Sequence, residues 1–171
     1  GDSLDILVNN VGTNVRKQLI DYQEDEYRKI FETNLFSVIE MCRLCFPFLK
    51  NGVGANVVNV ASVAGFVDVL SGPPYGMTKA AEIQLTRHLG VEWASAGIRV
   101  NAISAGPMRT LAGAAVGDAR MVFKWAKNSS PLKKSVELNH VGGAALYLLS
   151  DLAGGVTGEV HFVDAGFNVV G

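Results

Sequence analysis

Ser62, Tyr75 and Lys79 are the residues whose types and spacing could do chemistry. Tyr75 and Lys79 stand four apart, so on a helix both project from one face. A phenol titrates near pH 10, too high for proton transfer at neutral pH. A neighbouring ammonium favours the phenolate. A tyrosine tuned in this way can give a proton to a carbonyl oxygen as hydride arrives, or take one from an alcohol. Ser62 adds a hydroxyl that could hold the same oxygen. With four Tyr in the chain, one Y-x-x-x-K pair is weak by itself. It gains weight from its place after a strand that ends in serine.

The surrounding elements must position that trio. Residues 5–10 form an apolar run ending in Asn9-Asn10 and Gly12, which reads as a buried strand and a loop. Residues 24–50 carry helical periodicity, with Glu24, Asp25 and Glu26 in the first turn, where the helix dipole favours acids. Asn51-Gly52 supplies the stop. Residues 55–61 form a second strand. After a loop from Ser62 to Pro74, Pro73-Pro74 opens a helix that runs to about Ala96. Residues 98–104 form a third strand, and a long connection follows, helical near 118–127. A helix over 136–150 and a strand over 158–163 complete the chain. This alternation predicts an α/β fold with a parallel sheet. In such sheets ligands sit at the C-terminal strand ends. Asn9-Asn10, Ser62 and Ser104-Ala105-Gly106-Pro107 therefore share one rim.

Composition narrows the function classes. The 171 residues suit one domain. The net charge of -1 argues against nucleic-acid binding by bulk charge. Hydrophobic residues make up 49% and charged residues 18%, the balance of a chain with a packed core. No run is long and apolar enough for a membrane span, and no signal peptide is evident. Two cysteines make no disulfide scaffold, so a reducing cytoplasmic setting is expected.

Taken together, these residues resemble the short-chain dehydrogenase/reductase superfamily. Leu4-Asp5-Ile6-Leu7-Val8-Asn9-Asn10-Val11-Gly12 is similar to its Asn-Asn-Ala-Gly strand end, with Val11 for Ala. Thr33-Asn34-Leu35 is similar to its mid-helix Asn. Ser62, Tyr75 and Lys79 match its Ser, Tyr and Lys in order and spacing. The resemblance covers essentially the whole chain. It implies a Rossmann-like, doubly wound parallel sheet and NAD or NADP as cofactor. It implies Tyr75 as general acid/base, Lys79 favouring its phenolate and binding the nicotinamide ribose, Ser62 orienting the carbonyl, and Asn34 holding a water in a proton relay. It places Asn9 on the adenosine side, the Ile103 backbone and Thr110 at the nicotinamide end, and Val11, Gly12, Gly106 and Pro107 also on the cofactor side. The segment after Pro107 would cover the substrate.

Two departures shape the expectation. No G-x-x-x-G-x-G occurs in the chain, and the resemblance places three strands and that phosphate loop before Asp5. The expectation is a single partial domain, residues 1–171, with its first strand left as an apolar edge, from a larger chain or assembly. The two halves also resemble different branches. Residues 4–97 resemble tropinone-reductase-like carbonyl reductases. Residues from about 100 onward, including Pro107-Met108-Arg109-Thr110 and Pro131-Leu132-Lys133-Lys134, resemble bacterial enoyl-acyl-carrier-protein reductases, which suggests a mosaic joined near Gly97. The enoyl branch places Tyr and Lys seven apart, and seven before Lys79 is Gly72. The spacing therefore favours ketone or secondary-alcohol chemistry. Enoyl-thioester reduction in fatty-acid biosynthesis is the alternative, and a catalytically silent oligomerising module the second.

Other residues suggest less. Cys42-x-x-Cys45 lies on an amphipathic helix and reads as packing. His88, His140 and His161 have no metal-ligand spacing, so no metal is expected. The expected partners are a small carbonyl or acyl-thioester substrate and further copies of the chain, as dimer or tetramer. In the resemblance, Phe46, Phe48, Leu85, Leu89 and Trp93 lie on the helices of the dimer face; simple core packing is the other reading.

Overall fold

Four strands form one parallel sheet, with neighbours in chain order: β1 (Ile6–Asn9), β2 (Asn56–Ser62), β3 (Arg99–Ala105) and β4 (Val160–Val163). The computed structural model describes residues 1–108 and 119–170, with side chains from residue 121 onward in the second segment. Parallel neighbours need a crossover between them. Helices supply it: α1 (Glu24–Phe31) and α2 (Ser37–Leu49) between β1 and β2, α3 (Pro73–Glu92) between β2 and β3, and α4 (Ala119–Ser129) and α5 (Leu138–Leu149) between β3 and β4. The expected α/β parallel sheet is present.

The central strands are buried on both faces, which explains their near-continuous apolar reading. On one face Leu7, Val57 and Val100 pack against Val38, Cys42 and Leu49 of α2 and Leu89 of α3. On the other, Val58 and Ile103 pack against Leu148 of α5. Helices thus cover both faces. β1 ends the sheet and is buried on one face only: Ile6 and Val8 are about half exposed, at 48% and 45%.

Local chemistry fixes the helix ends. Gln23 and Glu26 form a reciprocal cap at the start of α1, and Lys17 grips the Glu26 carboxylate at 2.6 Å. Pro73 and Pro74 occupy the first turn of α3, where a missing N–H costs nothing. Gly97, at φ 74°, turns the chain into β3.

The helix expected over 24–50 is interrupted by one wider turn. Glu32–Phe36 adopt π geometry between α1 and α2, a local insertion that periodicity does not reveal. It holds Asn34 fully buried. Phe46 stacks on Trp93 with ring centres 4.8 Å apart. Leu89 and Trp93 belong to the core, and Leu85 packs against it. The large apolar residues that α2 leaves exposed are Met41, Leu44 and Phe48, and Phe36 of the π turn before it is exposed as well.

Candidate active site

The β2 strand end, the start of α3 and the β3 strand end enclose a cavity of about 410 Å³. Ser62, Tyr75 and Lys79 all line it. Glycines bring them together. A Cβ on Gly76 would lie 2.9 Å from the Ala64 carbonyl oxygen, and one on Gly65 would lie 2.7 Å from Ile83. Only bare glycine lets the turn after Ser62 lie against α3 between Tyr75 and Lys79.

Ser62 accepts a hydrogen bond from the Ala64 backbone N–H at 3.2 Å. That bond leaves its own O–H to donate. Lys79 is buried, and Nζ donates to the Val60 carbonyl at 2.7 Å and to Glu82 Oε2 at 2.7 Å. Glu82 is fully buried. Burial pushes its carboxyl above the usual range, against the pull of Lys79. Its second oxygen, Oε1, has no protein partner. Sequence reasoning missed Glu82. Its one available signal was an acid three residues after Lys79, set between Ala81 and Ile83.

Gly12, Gly106 and Pro107 line the same cavity, together with Asn10. Asn9 does not. Its Nδ2 donates to Asn59 Oδ1 at 2.8 Å and reaches Cys42 Sγ at 3.4 Å, behind the strand. The side chain of Ile103 is wholly buried in the core facing α5, its backbone lying near the end of β3, and Val11 is exposed outside the cavity. Thr110 lies outside the described residues. Asn34 is also outside the lining. Its Oδ1 accepts from Thr13 N–H at 2.7 Å, and its Nδ2 donates to the Thr13 carbonyl at 2.9 Å and to Thr78 Oγ1 at 3.3 Å. Thr78 Oγ1 in turn donates to the Tyr75 carbonyl at 2.8 Å. The side chain of Asn34 thus ties the loop after β1 to the Tyr75 turn.

The far wall is apolar: Val69, Leu70, Met108, Val122 and Phe123. Leu70 holds a positive φ of 57°, a costly conformation for a leucine, with its N–H bonded to Asp68 Oδ1 at 2.8 Å. Arg16 also lines the cavity. Cys42 and Cys45 are unpaired thiols. Burial pushes the Cys42 thiol up to about 11. Among the described residues no cluster of His, Cys, Asp or Glu could hold a metal ion, and no helix is long and apolar enough to cross a membrane.

The sequence family described as enoyl-(acyl carrier protein) reductase matches residues 1–168. The chain belongs to that family, within the short-chain dehydrogenase/reductase superfamily. It is 39% identical over 173 aligned residues to the NADH-type enoyl-[acyl-carrier-protein] reductase 2 of Rhizobium meliloti, covering 97% of this chain and 63% of that protein. It is 40% identical over 169 residues to a tropinone reductase homolog of Arabidopsis thaliana, covering 98% and 64%. Both likenesses run along nearly the whole chain rather than one half of it. The crystal structure of the enoyl-(acyl-carrier-protein) reductase of Anaplasma phagocytophilum in complex with NAD superposes with a TM-score of 0.88 at 35% identity, over 99% of this chain and 65% of that one. The chain spans a little under two thirds of the length of these relatives.

The superfamily implies a nicotinamide dinucleotide. The cavity suits its nicotinamide end. Gly106 lines it with backbone alone, and a Cβ there would meet Asp164 at 2.9 Å. The buried ammonium of Lys79 reaches the same space.

Proposed function

We propose that this chain carries the reaction centre of an NAD(P)-dependent oxidoreductase acting on a ketone or secondary alcohol. The observation that carries the reading is the convergence of Ser62, Tyr75 and Lys79 on one cavity, with Tyr and Lys four residues apart.

Gly12, Gly106, Pro107, Tyr75 and Lys79 would hold the nicotinamide and its ribose. The bound dinucleotide supplies or accepts the hydride. Ser62 donates its O–H to the substrate carbonyl oxygen and fixes the carbonyl plane. Tyr75 gives its phenolic proton to that oxygen during reduction and takes one back during oxidation. The buried ammonium of Lys79, which lines the same cavity, would bind the nicotinamide ribose. The apolar side chains of Val69, Leu70, Met108, Val122 and Phe123 line the same cavity, and a substrate seated against them would displace water and strengthen each of these polar contacts.

A second reading is enoyl-thioester reduction. It is favoured by the family description and the two enoyl reductase relatives. The two differ in substrate: a carbonyl oxygen to be protonated, or a conjugated C=C of an acyl thioester. Oxidation of NADH and NADPH by the purified chain, followed with a panel of ketones and with a crotonyl thioester, tests both. Ketone-dependent oxidation faster than thioester-dependent oxidation is expected; the reverse order would move the assignment to the second reading.

We further propose a homo-oligomer, dimer or tetramer. The support is the stripe of Met41, Leu44 and Phe48 along the exposed side of α2, spaced as one helical face. The two unpaired thiols suit a reducing cytoplasm.

A further inference from the structure

A lysine ammonium has three N–H donors. In Lys79 two of them are committed inside the protein, to the Val60 carbonyl of β2 and to Glu82 Oε2 one helical turn along α3. The two holds come from different elements, and neither involves a ligand. They fix the rotation of the ammonium. One N–H remains, and Lys79 lines the cavity that holds Tyr75.

The pair is costly as a structural device. Its side chains are 5% and 1% exposed, and Glu82 Oε1 is buried without a partner. Apolar residues of similar volume in place of a buried ion pair are often neutral or stabilising. A carboxylate kept here with one oxygen orphaned does something for Lys79 that packing would not. With Glu82 removed, the ammonium would pivot about a single bond to Val60 and sit in the core without a counter-charge.

We propose that Glu82 is a positioning residue: together with the Val60 carbonyl it clamps the Lys79 ammonium, so that the third N–H is presented to the reaction cavity. The proposal rests on the oxidoreductase reading for its catalytic consequence, but not for the clamp itself.

The clamp is tested on the whole 171-residue chain labelled with 15N. A rigidly held, buried ammonium exchanges protons slowly and gives a resolved Nζ–H3 signal, assigned by its loss in Lys79→Met. Glu82→Gln keeps an oxygen acceptor without the charge, and Glu82→Met removes both. The expected result is a sharp Lys79 signal in the wild type, a shifted and broadened one in Glu82→Gln, and none in Glu82→Met. Carbonyl turnover should fall in the same order, by about tenfold or more in Glu82→Met, through kcat rather than KM. No Lys79 signal in the wild type, or an unchanged one in both variants, would overturn the clamp. A signal that responds as expected while turnover stays within twofold would overturn the positioning role. If Glu82→Met does not fold, Glu82→Gln decides by the same readouts. Absence of carbonyl turnover in the wild type would refute the oxidoreductase reading and would leave the signal to judge the clamp.

Discussion

Asn34 and Thr13 form a two-way amide pair: Oδ1 accepts the Thr13 N–H at 2.7 Å and Nδ2 donates to the Thr13 carbonyl at 2.9 Å. The side chain mimics a strand partner for a loop that has none. Thr13 and Asn14 line the cavity, so the pair sets the position of one wall. Asn34→Ala leaves a half-buried donor and acceptor unpaired, which costs on the order of 2 kcal/mol. Urea unfolding should show that loss, and substrate KM should rise more than kcat falls. A variant with unchanged KM would mean the loop holds its place without Asn34.

The close approach at Gly76 sets opposing effects against each other. Alanine is favoured over glycine in a helix by about 1 kcal/mol. Its Cβ would sit 2.9 Å from the Ala64 carbonyl oxygen, a backbone atom that cannot rotate away. Overpacking of this kind costs about 1–3 kcal/mol, so the clash wins. Gly76→Ala should lower stability and push the Ser62 turn away from Tyr75. Circular dichroism melting and carbonyl turnover check this together; a stabilised variant would contradict it.

The Cys42 thiol is raised from 9.0 to about 11 by burial. A group whose folded value lies above its unfolded value contributes stability below the unfolded value and loses it as pH rises through the folded one. The loss therefore falls between pH 9 and about 11, and a shift of this size is worth roughly 2–3 kcal/mol. The wild type should lose that much more stability than Cys42→Ala between pH 8 and pH 11, measured by urea midpoints. Equal losses would show that burial of the thiol does not govern it. At pH 8 about one thiol in a thousand is ionised, so Cys42 should resist iodoacetamide until the chain unfolds.

Much of the fold was legible because its signals are local. The apolar runs of β1 to β3, Pro73-Pro74 at the head of α3 and Gly97 after it each carry their own reason in the sequence. Tyr75 and Lys79 were legible because their spacing is helical and their chemistry is distinctive. The π turn at Glu32–Phe36 was not legible, since one extra residue in a turn leaves the apolar pattern of 24–50 intact. Nor was the inward turn of Asn9 and Asn34, because polar residues at a strand end or mid-helix look alike whether they face a ligand or the protein backbone. Glu82 was hidden for a related reason: an acid on a helix reads as solvated until its burial is known. Of the residues given two readings, Leu89 and Trp93 are buried in the core and Phe46 stacks on Trp93, which a sequence pattern alone does not separate from an interface.

The most direct test of the central claim is ketone-dependent NAD(P)H oxidation by the wild-type chain and by Tyr75→Phe. Tyr75 is half-buried and its ring packs beside Val63, Val69 and Phe167, so phenylalanine keeps the packing and removes only the hydroxyl. The expected result is turnover in the wild type, a loss of at least about a hundredfold in the variant, and a melting temperature little changed. Equal turnover in the two proteins, or none in the wild type with any carbonyl, would contradict the account.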